Sequence, residues 1–169
     1  MFSFRSYFAS LALFCLISLL YGKAKAQSDF FFSVDGEVTS PMKFTPEMLS
    51  TMTTLEVQVS NRDGGQDTYT GVRISEILVL AGATLGSELR GENLAKYLLV
   101  EALDGYEAVF SLPEIDPEFT DQVSMVAFQL NGQPLPVGMG PFRIIVPHEK
   151  RQARWVREVK GLKIHFADN

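Results

Sequence analysis

From residue 27 onwards the apolar segments are short, and most are closed by a turn signal. That punctuation leaves room for strands and brief helices, and it excludes a helical bundle built from long amphipathic elements. Phe30 to Val34 reads as a strand followed by Asp35-Gly36 as a turn. Thr45-Pro46-Glu47 is a helix start, with Thr as N-cap and Pro at the first helical position, and that helix ends near Met52. Leu55, Val57 and Val59 alternate with Glu56 and Gln58, the pattern of a half-buried strand, and Asn61-Arg62-Asp63-Gly64-Gly65 then turns the chain. Between Thr68 and Leu85, Ile74, Ile77, Leu78 and Ala81 fall at helical spacing and Gly82 supplies the stop. Tyr97 to Leu103 and Tyr106 to Leu112 flank Asp104-Gly105 as a hairpin. Strands are also predicted at Val123 to Leu130, Phe142 to Val146 and Leu162 to Phe166. Strands outnumber helices, so the expected class is α+β, a single domain with mixed or antiparallel sheet and a few short helices.

The first 26 residues read differently. Arg5 precedes a 13-residue, mostly apolar run from Phe8 to Leu20; Gly22 breaks it, and Ala24-Lys25-Ala26 has the small-x-small cleavage pattern. A membrane span needs about 20 apolar residues. Residues 1–26 are therefore expected to be a cleaved export signal, with residues 27–169 as the exported domain and the periplasm as its destination. Cys15, the one cysteine, leaves with the signal, so the exported chain has no thiol.

Loss of Arg5, Lys23 and Lys25 leaves 12 of the 15 bases against all 20 acids, a net charge of −8. Such a domain is a poor nucleic-acid binder, and no nucleic-acid partner is expected. The charge is uneven, because Arg143 to Lys163 holds seven bases and two acids. A basic strip on an acidic body suits an anion, or pairs with the protein's own acids.

Most catalytic arrangements are excluded by residue type. The only histidines are His148 and His165, so a three-histidine metal site cannot form, and no Gly-x-Ser-x-Gly elbow is present. Gly138-Met139-Gly140-Pro141 lacks the spacing of a phosphate loop and reads as a connection into the next strand. Two segments remain as a binding surface. Asp104 to Phe119 joins the aromatic Tyr106 and Phe110 to the carboxylates Glu107, Glu114 and Asp116. Gly140 to Ile164 places Trp155, the single tryptophan, among Arg151, Arg154 and Arg157. On composition a lone Trp is more often a core anchor than a stacking platform.

These segments carry a resemblance. Tyr-Thr-Gly-Val with Ile-Leu and Ala-Gly (69–82), Asp-Gly-Tyr with Phe-Ser-Leu-Pro-Glu (104–114), Asn-Gly-Gln-Pro-Leu (131–135), Gly-Pro-Phe-Arg-Ile-Ile-Val-Pro (140–147) and Ala-Arg-Trp-Val with a later Ile (153–164) are similar to the molybdopterin-binding domain of the sulfite oxidase superfamily. Enzymes of that type hold molybdenum through a cysteine thiolate and are larger. The missing thiol therefore argues against the molybdenum cofactor and against catalysis, while a pocket for the organic part can persist. The chain is more similar to short exported members described as periplasmic pterin-binding proteins. The resemblance implies a non-catalytic pterin-binding protein that partners the periplasmic domain of a membrane-bound cyclic-di-GMP signalling protein. The alternative it implies is a molybdenum-cofactor-dependent oxidoreductase or its subunit. A scaffold that binds no small molecule is the third class.

A pterin ring is flat and aromatic, so Trp155, Tyr106 or Phe110 suits its face. Its 2-amino and N3–H donors suit a carboxylate, first Glu114 and then Asp116. Its 4-oxo group, or a phosphate, suits Arg143, Arg151 or Arg154, and His148 offers one further hydrogen bond.

Overall fold

The computed structural model describes residues 30–61 and 63–167. The expected export signal, residues 1–26 with Cys15, lies outside the described residues. The described chain is α+β: ten strands and two short α-helices, with the strands in two five-stranded sheets.

The first sheet contains β1 (Phe32–Gly36), β2 (Met42–Phe44), β5 (Lys96–Ala102), β6 (Glu107–Ser111) and β10 (Val159–Phe166), in the order β2-β1-β10-β5-β6. Its neighbours are antiparallel except for β1 and β10, which run parallel with Val34 opposite Leu162. The second sheet contains β3 (Thr54–Ser60), β4 (Gln66–Arg73), β7 (Met125–Leu130), β8 (Gln133–Pro134) and β9 (Arg143–Ile145). Its order is β3-β4-β7-β8, and β9 pairs with the other stretch of β7, putting Arg143 opposite Ala127. Helix α1 (Pro46–Thr51) begins where Thr45 Oγ1 accepts from the Met48 N–H at 3.3 Å, as the Thr-Pro signature predicts. Helix α2 (Ile74–Leu80) follows β4 without a loop.

One apolar core joins the sheets. Phe32 stacks on Phe44 with ring centres 5.4 Å apart, and meets the edge of Phe142, just before β9, at 4.9 Å. Strand β5 alternates strictly between buried and half-buried residues, as a sheet covered on one face requires. Strand β7 is buried at each position from Met125 to Phe128, which is why it reads as an unbroken apolar run.

Two expectations shift. The first strand starts at Phe32 rather than Phe30, because Phe30 and Phe31 stand in solvent while Phe32 and Val34 are fully buried. The helix expected after Thr68 begins only at Ile74, and the residues before it form β4, a central strand. Its polar sequence is tolerated because Tyr69, Gly71 and Val72 alone enter the core. A Cβ on Gly71 would strike the Val126 carbonyl and come within 2.7 Å of Ala127 Cα, so the close approach of β4 to β7 requires glycine there. The short strands β2 and β8 carry too few residues for a periodic signal.

Candidate functional site

Arg143 is the centre of the site. Strand β9 sets it against β7, and its side chain is 4% exposed. Arg143 Nη1 donates to Tyr69 Oη at 2.7 Å and lies 3.1 Å from Met139 Sδ. The guanidinium carbon sits 5.4 Å from the Tyr69 ring centre and 5.5 Å from that of Trp155, and those two rings stand perpendicular, 6.3 Å apart. The cation is thus held in the corner of two aromatic side chains. Its buried Nε has no hydrogen-bond partner among the described residues. Buried polar groups are nearly always paired, so this donor is an exception that asks for an explanation.

A cavity of about 300 Å³ opens on this corner. Tyr69, Arg143, Asp67, Asn61, Gln152 and Arg157 supply its polar lining, with Met139 beside them. The β3–β4 hairpin delivers Asn61, whose Oδ1 accepts from Gly65 N–H at 2.8 Å and closes the turn. Asp67 Oδ1 accepts from Asn131 Nδ2 at 3.1 Å, which ties the same hairpin to the turn after β7. A second cavity of about 350 Å³ shares Gln152 and Arg157 with the first, and Tyr106, Asp104 and Trp155 line it.

Burial pushes the Tyr69 phenol above its ordinary value of 10.0, against the opposing pull of Arg143, so the hydroxyl stays protonated. Burial also lowers the Arg143 guanidinium, and the neighbouring Arg157 charge lowers it further. It remains a cation, as arginine does in proteins. The site is therefore a desolvated positive charge beside a carboxylate, with amide donors and acceptors around it.

The residues singled out from sequence separate into four places. Arg143, Trp155 and Tyr106 border the two cavities. Trp155 is an anchor rather than an open platform: it is 5% exposed and its Nε1 donates to the Val146 carbonyl at 3.1 Å. Tyr106 is half in solvent, and its hydroxyl donates to the Ala153 carbonyl at 2.8 Å. Glu114, Arg154 and Phe110 form a separate cluster. Arg154 makes a bidentate pair with Glu114, both bonds at 3.1 Å, while its Nε donates to Glu149 Oε1 at 2.6 Å. The guanidinium lies 4.2 Å from the Phe110 ring centre, and Phe110 is 1% exposed, so its face is taken. Glu114 Oε1 also accepts from the Ser111 N–H at 2.6 Å, completing a capping box. Burial works against the Arg154 charge, but the bonds it donates to Glu114 and Glu149 outweigh it and hold its pKa above the ordinary value. Asp116 is buried on another face, where Oδ2 accepts from Gly86 N–H at 2.5 Å and Oδ1 from Glu118 N–H at 2.8 Å. His148 and Arg151 are exposed on the segment between β9 and the turn at Gln152–Arg154.

The carboxylate facing Arg143 is therefore Asp67, and Tyr69, Asn61, Gln152 and Arg157 join it. Tyr69 lay inside the segment from Thr68 to Leu85 read for its helical spacing, and Asp67 just before it had no reading. Arg157 had a signal, as part of the basic strip. Among the described residues no cluster of three His, Cys, Asp or Glu side chains is placed to hold a metal ion.

Glu114→Gln is expected to lower stability by roughly 1 kcal/mol, less in high salt, because the pair is about a third exposed and the amide still accepts the cap bond. Urea denaturation at two salt concentrations measures this, and ligand affinity is expected to stay within about twofold of the parent.

Residues 21–168 match the family model described as oxidoreductase molybdopterin binding domain. No curated protein matches. Among solved structures, the chain is similar to the sulfane dehydrogenase SoxCD from Paracoccus pantotrophus, with a TM-score of 0.64 and 21% identity over 83% of this chain. It spans 39% of that protein's chain, and at this identity the likeness concerns the fold. The family match runs through both sheets and through each residue that lines the two cavities, so the chain belongs to the oxidoreductase molybdopterin binding domain family of the sulfite oxidase-like superfamily.

Proposed function

We propose that this domain is an exported, non-catalytic pterin-binding protein that relays ligand occupancy to a membrane-bound cyclic-di-GMP signalling partner. The observation that carries the pterin reading is the buried Arg143 with its unpaired Nε, opening on a cavity that also holds a carboxylate. The donor set fits the organic part of the family's cofactor. Arg143 and Gln152 offer donors to the 4-oxo edge, Asp67 offers an acceptor pair to the 2-amino and N3–H edge, and Arg157 offers charge to an anionic substituent. A cavity of about 300 Å³ is at the lower end of small-ligand sites, which suits a bicyclic ring.

Non-catalysis rests on the sulfur inventory. Residues 27–169 hold no cysteine, and Met139 Sδ already lies against Arg143 and Tyr69. Export rests on Arg5, the apolar run and Ala24-Lys25-Ala26. The signalling partner rests on the resemblance to short exported relatives. A second reading, a molybdenum-dependent oxidoreductase or its subunit, is favoured by the family's own description. The full cofactor would then supply the redox step, and this chain's residues would bind and orient its pterin. Near-stoichiometric molybdenum in protein purified from its native compartment would select that reading; bound pterin without metal would select the first.

Trp155 gives a built-in reporter. It is the only tryptophan, and it lies between the Arg143 corner and the second cavity. Saturable quenching of its fluorescence by an added pterin, corrected for absorption by the ligand itself, is the expected outcome. Unchanged fluorescence alongside calorimetric binding would place the ligand elsewhere.

A further inference from the structure

We infer that the groove beside α2 is a docking site for a basic, amphipathic segment of a partner protein. The groove encloses about 610 Å³, and none of its lining residues is shared with the cavity at Arg143. Met52, Val79, Leu80 and Leu85 give it an apolar floor, while Glu76 and Glu118 stand on its rim. Among the described residues its lining has no lysine or arginine.

Helix α2 is apolar on two sides. Ile74, Ile77 and Leu78 are fully buried in the core, whereas the adjacent Val79 and Leu80 are 60% and 51% exposed. A surface helix normally turns charge to solvent on that side. Contiguous exposed apolar side chains rimmed by polar residues mark an interaction site, while scattered single ones need no explanation. The groove is also preformed. The Asp116 carboxylate holds the backbone of Gly86 on one bank and of Glu118 on the other, so both loops are fixed without a ligand. Asp116 is thus a positioning residue of the groove.

The occupant follows from complementarity. An apolar floor asks for Leu- or Phe-like side chains, and a rim of carboxylates without bases asks for Lys or Arg. Val79 and Leu80 line the groove and yet stay more than half exposed, which favours a protein segment laid across them over a buried small molecule.

The test is an amide NMR titration of the purified protein with a synthetic Leu/Lys amphipathic helical peptide, against the same peptide with Glu for Lys. Saturable shifts confined to residues 76–86 and 116–118 are expected, with affinity at least about tenfold weaker for the Glu peptide. The double variant V79S/L80S is expected to abolish these shifts, and E76Q/E118Q to weaken binding by about tenfold. Both variants change exposed or rim side chains, and unchanged amide shifts away from residues 76–86 and 116–118 check that they fold. Shifts spread over the whole acidic surface, or an equal response to the Glu peptide, overturn the inference. So does a groove that responds to dodecylammonium but not to the peptide, which would make it a small-molecule site. Failure here leaves the pterin reading intact, because the two sites share no lining residue.

Discussion

Replacing Arg143 with Met is expected to weaken pterin binding by about 100-fold, equivalent to about 2.7 kcal/mol, while the domain stays folded. The substitution removes the one buried donor without a partner among the described residues, and with it the charge that favours an oxo or anionic group in the cavity. Hydrogen bonds to charged groups contribute about 1.5–3 kcal/mol each, so the loss of one such bond with its charge accounts for the effect. The fold tolerates the change for a separate reason. A buried guanidinium carries a desolvation penalty, and an apolar side chain of similar length often matches or exceeds its stability. The Tyr69 hydroxyl loses the donor at 2.7 Å but keeps its place beside Met139 Sδ. Calorimetry measures the affinity, and urea denaturation measures the stability. Full affinity in the variant would move the ligand away from this corner. Arg157→Ala, at an exposed position on both cavities, is a milder companion that reads only the anionic contribution.

Phe142→Ala is expected to lower stability by roughly 3–5 kcal/mol. Phe142 is fully buried and meets the edge of Phe32 at 4.9 Å, where the first sheet faces the strand that carries Arg143. Truncation leaves a void between two sheets that cannot close without moving β1 or β9. A typical domain has about 5–15 kcal/mol in total, so the variant should denature at much lower urea concentration, and its pterin affinity should fall with it. A loss below about 1 kcal/mol would mean that the core collapses around the site, against the packing described.

The two large effects also mark what the sequence could convey. Phe142 opens a five-residue segment before Pro147 in which four residues are apolar, and a strand there is plain from pattern alone. The β5–β6 hairpin was equally legible, because Asp104-Gly105 separates two alternating runs that pair with Leu98 opposite Phe110. Strand β4 was not. Its burial comes from Tyr69, from a glycine forced close to β7 and from Val72, three positions that do not alternate and so create no periodic signal. That loss hid half of the site, since β4 carries both Asp67 and Tyr69. Glu114 and Asp116 had the right chemistry for a pterin edge, but local backbone donors and Arg154 reach them first. A carboxylate beside Ser-Leu-Pro is also a capping residue, and short-range geometry decided between the two roles. Arg143 was legible by type, within the Pro-Phe-Arg strand, but its unpaired Nε depends on the three-dimensional corner made with Tyr69 and Trp155.

Calorimetric titration of the purified protein with reduced and oxidised pterins tests pterin recognition most directly. The expected result is one saturable site of micromolar affinity or tighter, about −8 kcal/mol, for at least one redox state. No binding heat at several temperatures for either state would contradict it.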